Sequence, residues 1–283
     1  MAVEASRIAR RRPARGELDR KTIEDFGEQW QAFRGNDGYY GSAELFEDVV
    51  GPLLPPESIR RCRVADIGSG TGRIVRMLLE AGAAHVTAVE PSASFPVLQE
   101  IVAQFDDRVT CLNVTGEELP AGAGLDYVFS IGVIHHIPHP LPTLKAAHAA
   151  LKPGGRVVVW LYGFEGNRAY LCVAKTLRAF TTRLPHRLLK AFSWGLLVFL
   201  RLYLLGCRAL PLPMRGYMLG HLGKLSAKDQ ALTIYDQHNP AYAKYYRKEE
   251  VRSLLEAAGF VDLALHHRHG YSWTAMGTKP LAV

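Results

Sequence analysis

The run Val64-Ala65-Asp66-Ile67-Gly68-Ser69-Gly70-Thr71-Gly72 constrains this chain more than any other stretch. A short apolar segment ends beside an acidic residue, and glycine follows at every second position. This reads as a buried strand entering a tight loop and then a helix over 73–81. Glycine has no Cβ, so the backbone can turn through positive φ and approach a ligand closely. Val86 to Glu90 reads as the next strand, and it ends in a carboxylate, where a βαβ nucleotide site holds ribose hydroxyls. The spacing is Gly-x-Gly-x-Gly rather than the Gly-x-Gly-x-x-Gly of dinucleotide sites, and no Gly-Lys-Ser/Thr follows. That favours a nucleoside ligand without phosphates.

Further segments follow in a fixed order. They are Asn113 to Pro120, Leu125 to Ile137 with its His135-His136 pair, Leu151 to Trp160 around Lys152-Pro153-Gly154-Gly155, and Glu249 to Phe260 with Gly259 as a helix stop. Taken with the glycine loop, they resemble the class I S-adenosylmethionine-dependent methyltransferases over residues 59–164 and 235–283. Within that group the chain is similar to the ubiquinone/menaquinone-biosynthesis type and to methyltransferases of polysaccharide or secondary-metabolite pathways. The resemblance implies an α/β fold: a doubly wound, Rossmann-like seven-stranded sheet with its last strand antiparallel, here with a helical cap insertion. It implies S-adenosyl-L-methionine as cofactor, held by Asp66, Gly68, Ser69, Gly70, Glu90, Pro91, Gly116, Glu117, Ile131 and Gly132. Glu90 would take the ribose, Gly116 and Glu117 would flank the adenine, and Asp66 would brace the loop or the methionine amino group. Many relatives carry Asp where Thr115 stands, which shifts the adenine contact to Gly116, Glu117 or the backbone.

Charge is distributed unevenly. The chain is +7 overall, yet residues 166–228 hold eleven Lys or Arg and no Asp or Glu, and residues 1–15 hold five Arg against Glu4. The remainder is net acidic. Cations gathered in one insertion and one tail point to an anionic partner more than a uniform excess does. The four cysteines are scattered without CxxC or metal spacing, which implies a reducing compartment and no structural metal. No apolar signal-peptide run opens the chain, so a cytoplasmic location is expected, with membrane association on the inner face as an added option.

The expected organisation is a disordered basic tail (1–20), an N-terminal helical lid (21–58), the cofactor-binding core (59–164 and 235–283) and a basic apolar helical insertion (165–234). Residues 184–210 are mostly apolar but are interrupted by Lys190, Arg201 and Arg208. The longest uncharged run is too short to span a bilayer, and Arg201 would sit at its centre. Three functional readings remain for this stretch: a cap over the active site, a peripheral membrane contact, or a dimer face. A plain helical subdomain is the fourth.

Methyl transfer from a sulfonium is an in-line displacement, so the protein mainly positions the acceptor and excludes water. A hydroxyl acceptor also needs a base, and histidine is the usual one near neutral pH. The candidates are His135 and His136, at the end of the fourth strand, and His238. The alternative for the pair is packing against the cofactor. Tyr235, Asp236, Tyr245, Tyr246 and Arg268 are candidates for the acceptor pocket; the competing reading of 235–240 is a self-satisfied Asp/Asn-Pro loop. His266, His267 and His269 resemble a metal cluster only at first glance. On a strand His267 and His269 share a face and His266 does not, and no acidic neighbour is evident, so no metal is expected. The chain therefore reads as a methyltransferase for a small-molecule or lipid-like, anionic acceptor, with oxygen methylation first. Nucleic acid of the tRNA type is the runner-up, and a catalytically silent cofactor-binding protein is the non-enzymatic alternative.

Overall fold

The computed structural model describes residues 15–181 and 184–281. Seven strands form one sheet: β1 (Arg63–Ile67), β2 (His85–Val89), β3 (Val109–Leu112), β4 (Leu125–Ile131), β5 (Leu151–Tyr162), β6 (Val261–Arg268) and β7 (Ser272–Thr278). Their spatial order is β3-β2-β1-β4-β5-β7-β6. β1 to β5 are mutually parallel, and β7 runs antiparallel between β5 and β6. The doubly wound sheet with an antiparallel last strand is thus the observed fold.

The parallel strands read as near-continuous apolar runs because both faces are covered. On one face, Ala65, Val128, Val157 and Val159 pack with α5 (Leu141–Ala150) and α10 (Lys248–Ala257) through Leu144, Ala147, Val251 and Leu255. On the other, Val64, Val86, Phe129 and Val158 meet α2 (Ala43–Val50), α3 (Arg73–Glu80) and α4 (Phe95–Val102) through Phe46, Val75, Leu78 and Leu98. The order reverses beside β1, where β2 lies on one side and β4 on the other. The carboxyl ends of these strands therefore open onto the crevice where α/β sheets of this kind bind ligands.

Residues 1–14 of the expected basic tail lie outside the described residues. Residues 15–20 do not belong to a tail; they open α1 (Arg15–Ala32). The insertion is helical: α6 (Arg168–Thr181), α7 (His186–Ala209), α8 (Arg215–Gly220) and α9 (Ala227–His238). Ser226 caps α9 by accepting the Asp229 N–H. Tyr235 to His238 form the last turn of α9, so the loop anticipated over 235–240 is confined to its end. Buried Phe33, the residue after α1, packs with Leu189 of α7 and Leu232 and Tyr235 of α9.

Candidate cofactor and acceptor site

A cavity of about 840 Å³ lies at the carboxyl end of the sheet. Its cofactor half is lined by Gly68, Ser69, Gly70, Glu90, Pro91, Gly116, Glu117, Ile131 and Gly132, nine of the ten residues expected there. The exception is Asp66, which is buried beneath the loop and does not reach the cavity wall. Gly68 has φ +79°, and a Cβ there would come within 2.5 Å of Val133, so a side chain is excluded by backbone and space alike.

Glu90 braces the loop. Its Oε2 accepts the Gly70 N–H at 2.7 Å and its Oε1 the Ser92 N–H at 2.9 Å. The bracing role expected of Asp66 therefore falls in large part to Glu90. Asp66 is itself under electrostatic pressure: burial pushes its carboxyl up to about 7, only partly offset by Ser69 and Arg73. Its Oδ2 has no hydrogen-bond partner. A glycine cradle with an acid at the end of β2 fits the backbone-contact and ribose ends of S-adenosylmethionine, while Asp66, with its orphaned oxygen beneath the loop, does not open onto the amino end.

α1 covers this half. Thr22, Ile23, Phe26 and Trp30 line the cavity, and the Trp30 indole lies against Gly70, with Nε1 3.1 Å from where a Cβ would stand. The second half is walled by β5, α6 and the insertion. Trp160, Tyr162, Tyr170, Tyr217, Asp236, Tyr245, Arg268 and Tyr271 line it, with Leu196, Leu200 and Met218 overhead.

The candidates separate here. His136 faces the cavity, its ring edge-on to Phe26 at 4.8 Å between centroids. Its Nδ1 lies 2.9 Å from the Tyr242 carbonyl. A carbonyl only accepts, so Nδ1 carries the proton and Nε2 is the basic nitrogen. Burial lowers its pKa to about 4, against an opposing pull from Asp236. His135 stands behind the wall: it is fully buried and stacks on Tyr162 with centroids 3.8 Å apart. It packs the tyrosine and does not reach an acceptor. His238 does line the cavity, and burial lowers it to about 4 as well.

Asp236 is the polar focus of the acceptor half. Its Oδ2 accepts from the Tyr162 hydroxyl at 3.0 Å, and its Oδ1 from Gln29 Nε2 of α1 at 2.8 Å. Tyr245 stacks on Tyr162 with centroids 5.2 Å apart, and Tyr170 donates to Gln237. Tyr235 and Tyr246 are absent from the cavity wall; the first packs on Phe33 and the second sits in the core below β5. Arg268 reaches the cavity but is already partnered, by the Asp48 carboxylate of α2 and the Tyr271 hydroxyl. The expectation of no acidic neighbour fails here, because Asp48 holds both Arg268 and His269. His269 lies in the β6–β7 turn rather than on the strand, and no metal-holding cluster occurs among the described residues. Tyr162, Tyr170 and Trp160 were not anticipated, although Trp160 and Tyr162 stand at the carboxyl end of β5, where an α/β sheet presents its ligands.

Residues 65–157 match a family model described as a methyltransferase domain. Over those residues the chain carries a methyltransferase domain. Its sequence is similar to a tRNA U34 carboxymethyltransferase from Pseudoalteromonas translucida, 34% identical over 118 residues, which are 41% of this chain and 37% of the relative. The enzyme of the same name from Alcanivorax borkumensis is 36% identical over 121 residues, 42% and 37% of the two chains. The matched part is thus little more than a third of these relatives' length. Among solved structures, the fold is similar to a 1,6-didemethyltoxoflavin-N1-methyltransferase from Burkholderia thailandensis, with TM-score 0.55, 18% identity and 95% and 92% coverage. It is also similar to a methyltransferase from Thermotoga maritima, a possible histamine N-methyltransferase, with TM-score 0.51, 18% identity and 91% and 99% coverage. The expectation that a small-molecule or lipid-like acceptor outranks nucleic acid is overturned by the sequence relatives, which are tRNA-modifying enzymes. The domain family's cofactor is S-adenosylmethionine, as expected.

Proposed function

We propose that this chain is an S-adenosylmethionine-dependent methyltransferase whose acceptor is a nucleobase of a tRNA-type RNA. The observation that carries the reading is the 34% and 36% identity to tRNA U34 carboxymethyltransferases over 118 and 121 residues. The acceptor half is chemically compatible. An enzyme acting on a base within a folded strand takes it out of the stack and holds it by aromatic packing and edge hydrogen bonds. Tyr162, Tyr245 and Trp160 supply the faces, and Asp236 supplies an acceptor for a ring or exocyclic N–H. Cations of residues 166–228 outside α7 supply counter-charge for phosphates.

When bound, S-adenosylmethionine offers a methyl already activated on a sulfonium. The chain's part is to orient and dry the acceptor and to accept its proton. Phe26 and Trp30 of α1 close the cofactor side against water. His136, neutral at pH 7 and with Nε2 basic, takes the proton that an imino or hydroxyl acceptor gives up. Glu90 holds the ribose end while keeping the glycine loop in shape.

The test supplies methyl-labelled S-adenosylmethionine to the purified chain with total tRNA, with duplex DNA and with a protein-free small-metabolite extract. Label that enters RNA and is released by ribonuclease supports the reading. Label confined to ribonuclease-resistant small molecules, or to DNA, refutes it. Cofactor binding without label transfer to any acceptor moves the silent-partner alternative to first place.

A further inference from the structure

The outer face of α7 is built to meet something. Leu188, Trp194, Val198, Phe199, Leu202 and Leu205 lie 44% to 69% exposed, and from Trp194 through Val198 and Leu202 to Leu205 the spacing is three or four residues. They form one apolar stripe along the helix, on the side away from buried Leu189, Ser193, Leu197, Leu204 and Cys207. The stripe is rimmed by Arg187, Lys190, Arg201 and Arg208, all exposed, and none is paired with a carboxylate among the described residues. No Asp or Glu stands anywhere in residues 166–228.

We propose that α7 is a lipid-surface docking element that lies in the interface of an anionic membrane, with its apolar stripe inserted and its cations at the headgroups. Charge selects this occupant. A second copy of the chain would set arginine against arginine across the stripe with no acid to relieve it. RNA-binding surfaces interleave cations with successive aromatic platforms, whereas the two rings here, Trp194 and Phe199, stand among the aliphatic Leu188, Val198, Leu202 and Leu205 and make no continuous stacking face. An anionic bilayer satisfies both features together, taking the apolar side chains into the acyl boundary and the guanidinium groups at its charged surface. The helix is long and apolar enough to cross a membrane by composition, with mean hydropathy 1.7. Crossing is opposed by its inner face, which is packed on α9, and by Arg201 within the run. The element therefore lies along the surface.

This inference concerns a surface outside the cavity and stands independently of the acceptor reading. The full chain is floated with phosphatidylcholine vesicles carrying either no anionic lipid or roughly one third phosphatidylglycerol, at low and moderate salt. Flotation with the anionic vesicles alone is expected. It should fall by at least about tenfold in Phe199→Glu/Leu202→Glu and also in Arg187→Glu/Arg208→Glu. Both pairs are solvent-exposed, so far-UV circular dichroism and cofactor affinity should be unchanged and serve as folding controls. Absence of flotation at low salt overturns the proposal. So does flotation that persists in Phe199→Glu/Leu202→Glu while tRNA binding is lost, which would assign the stripe to RNA. Concentration-dependent dimers without vesicles, abolished by the same variant, would assign it to a second copy and likewise overturn it.

Discussion

Replacing Glu90 by glutamine probes the glycine loop and the ribose end of the site with one nearly isosteric change. In the native chain the carboxylate is buried at 4% exposure, and each oxygen accepts one backbone N–H, from Gly70 and from Ser92. Glutamine retains one acceptor oxygen and turns the other into an NH₂ that faces an N–H. One hydrogen bond to a charged group is lost, worth about 1.5–3 kcal/mol, and the other is weakened. Part of this appears as destabilised loop geometry, and part as a poorer partner for ribose hydroxyls. Loss of about 2 kcal/mol of binding corresponds to roughly a 30-fold drop in affinity. The assay is calorimetric titration with S-adenosylhomocysteine, with thermal unfolding of the cofactor-free protein run alongside. Glu90→Ala, which removes both acceptors, should bind more weakly still. Wild-type affinity in Glu90→Gln would show that the carboxylate does not organise the cofactor site, and both its bracing and its ribose role would be wrong.

Asp66 makes thermal stability depend on pH. Burial raises its folded-state pKa from 3.8 to about 7, so its contribution is full below 3.8 and is lost as pH rises through about 7. The melting temperature of the free protein should fall across that window, and Asp66→Asn should flatten the curve; parallel curves for the two proteins would refute the assignment. His136→Ala should cost roughly 100-fold or more in kcat on tRNA with cofactor affinity intact. Because burial holds the His136 imidazole near pH 4, wild-type kcat should show no acid limb near pH 6.5, and finding one would remove His136 as the base. Asp48→Ala leaves the Arg268 guanidinium buried without its carboxylate; unfolding in urea should show a loss of about 3 kcal/mol, and a loss below about 1 would mean solvent reaches Arg268.

What the linear sequence reveals follows from the range over which each interaction acts. The glycine loop and the acid after β2 are set by a few adjacent residues, so the sheet and nine of the ten named residues that line the first half of the cavity were legible. The acceptor half is assembled from far-separated segments. Asp236 meets Gln29 across 207 residues and Tyr162 across 74, and Arg268 meets Asp48 across 220. No spacing rule reports such pairs. Tyr235 and Tyr246 illustrate the same limit: each is adjacent in sequence to a cavity residue, but the α9 turn and the path below β5 aim them at packing instead. His135 and His136 are consecutive, yet only the second faces the cavity.

The antiparallel insertion of β7 between β5 and β6 also constrains how the chain comes to be folded. β5 finds its final neighbour only after the whole insertion, α10 and β6 have been made, because its partner residues run from Ser272 to Thr278. Pairing across so long a stretch is entropically costly and slow. During synthesis the sheet from β3 to β5 can assemble on its own, and until the hairpin arrives it presents a long unpaired apolar strand to its surroundings. A ribosome stalled before residue 261 would therefore hold a nascent chain whose glycine loop is in place, whose acceptor wall still lacks Arg268 and Tyr271, and whose sheet edge is a target for chaperones.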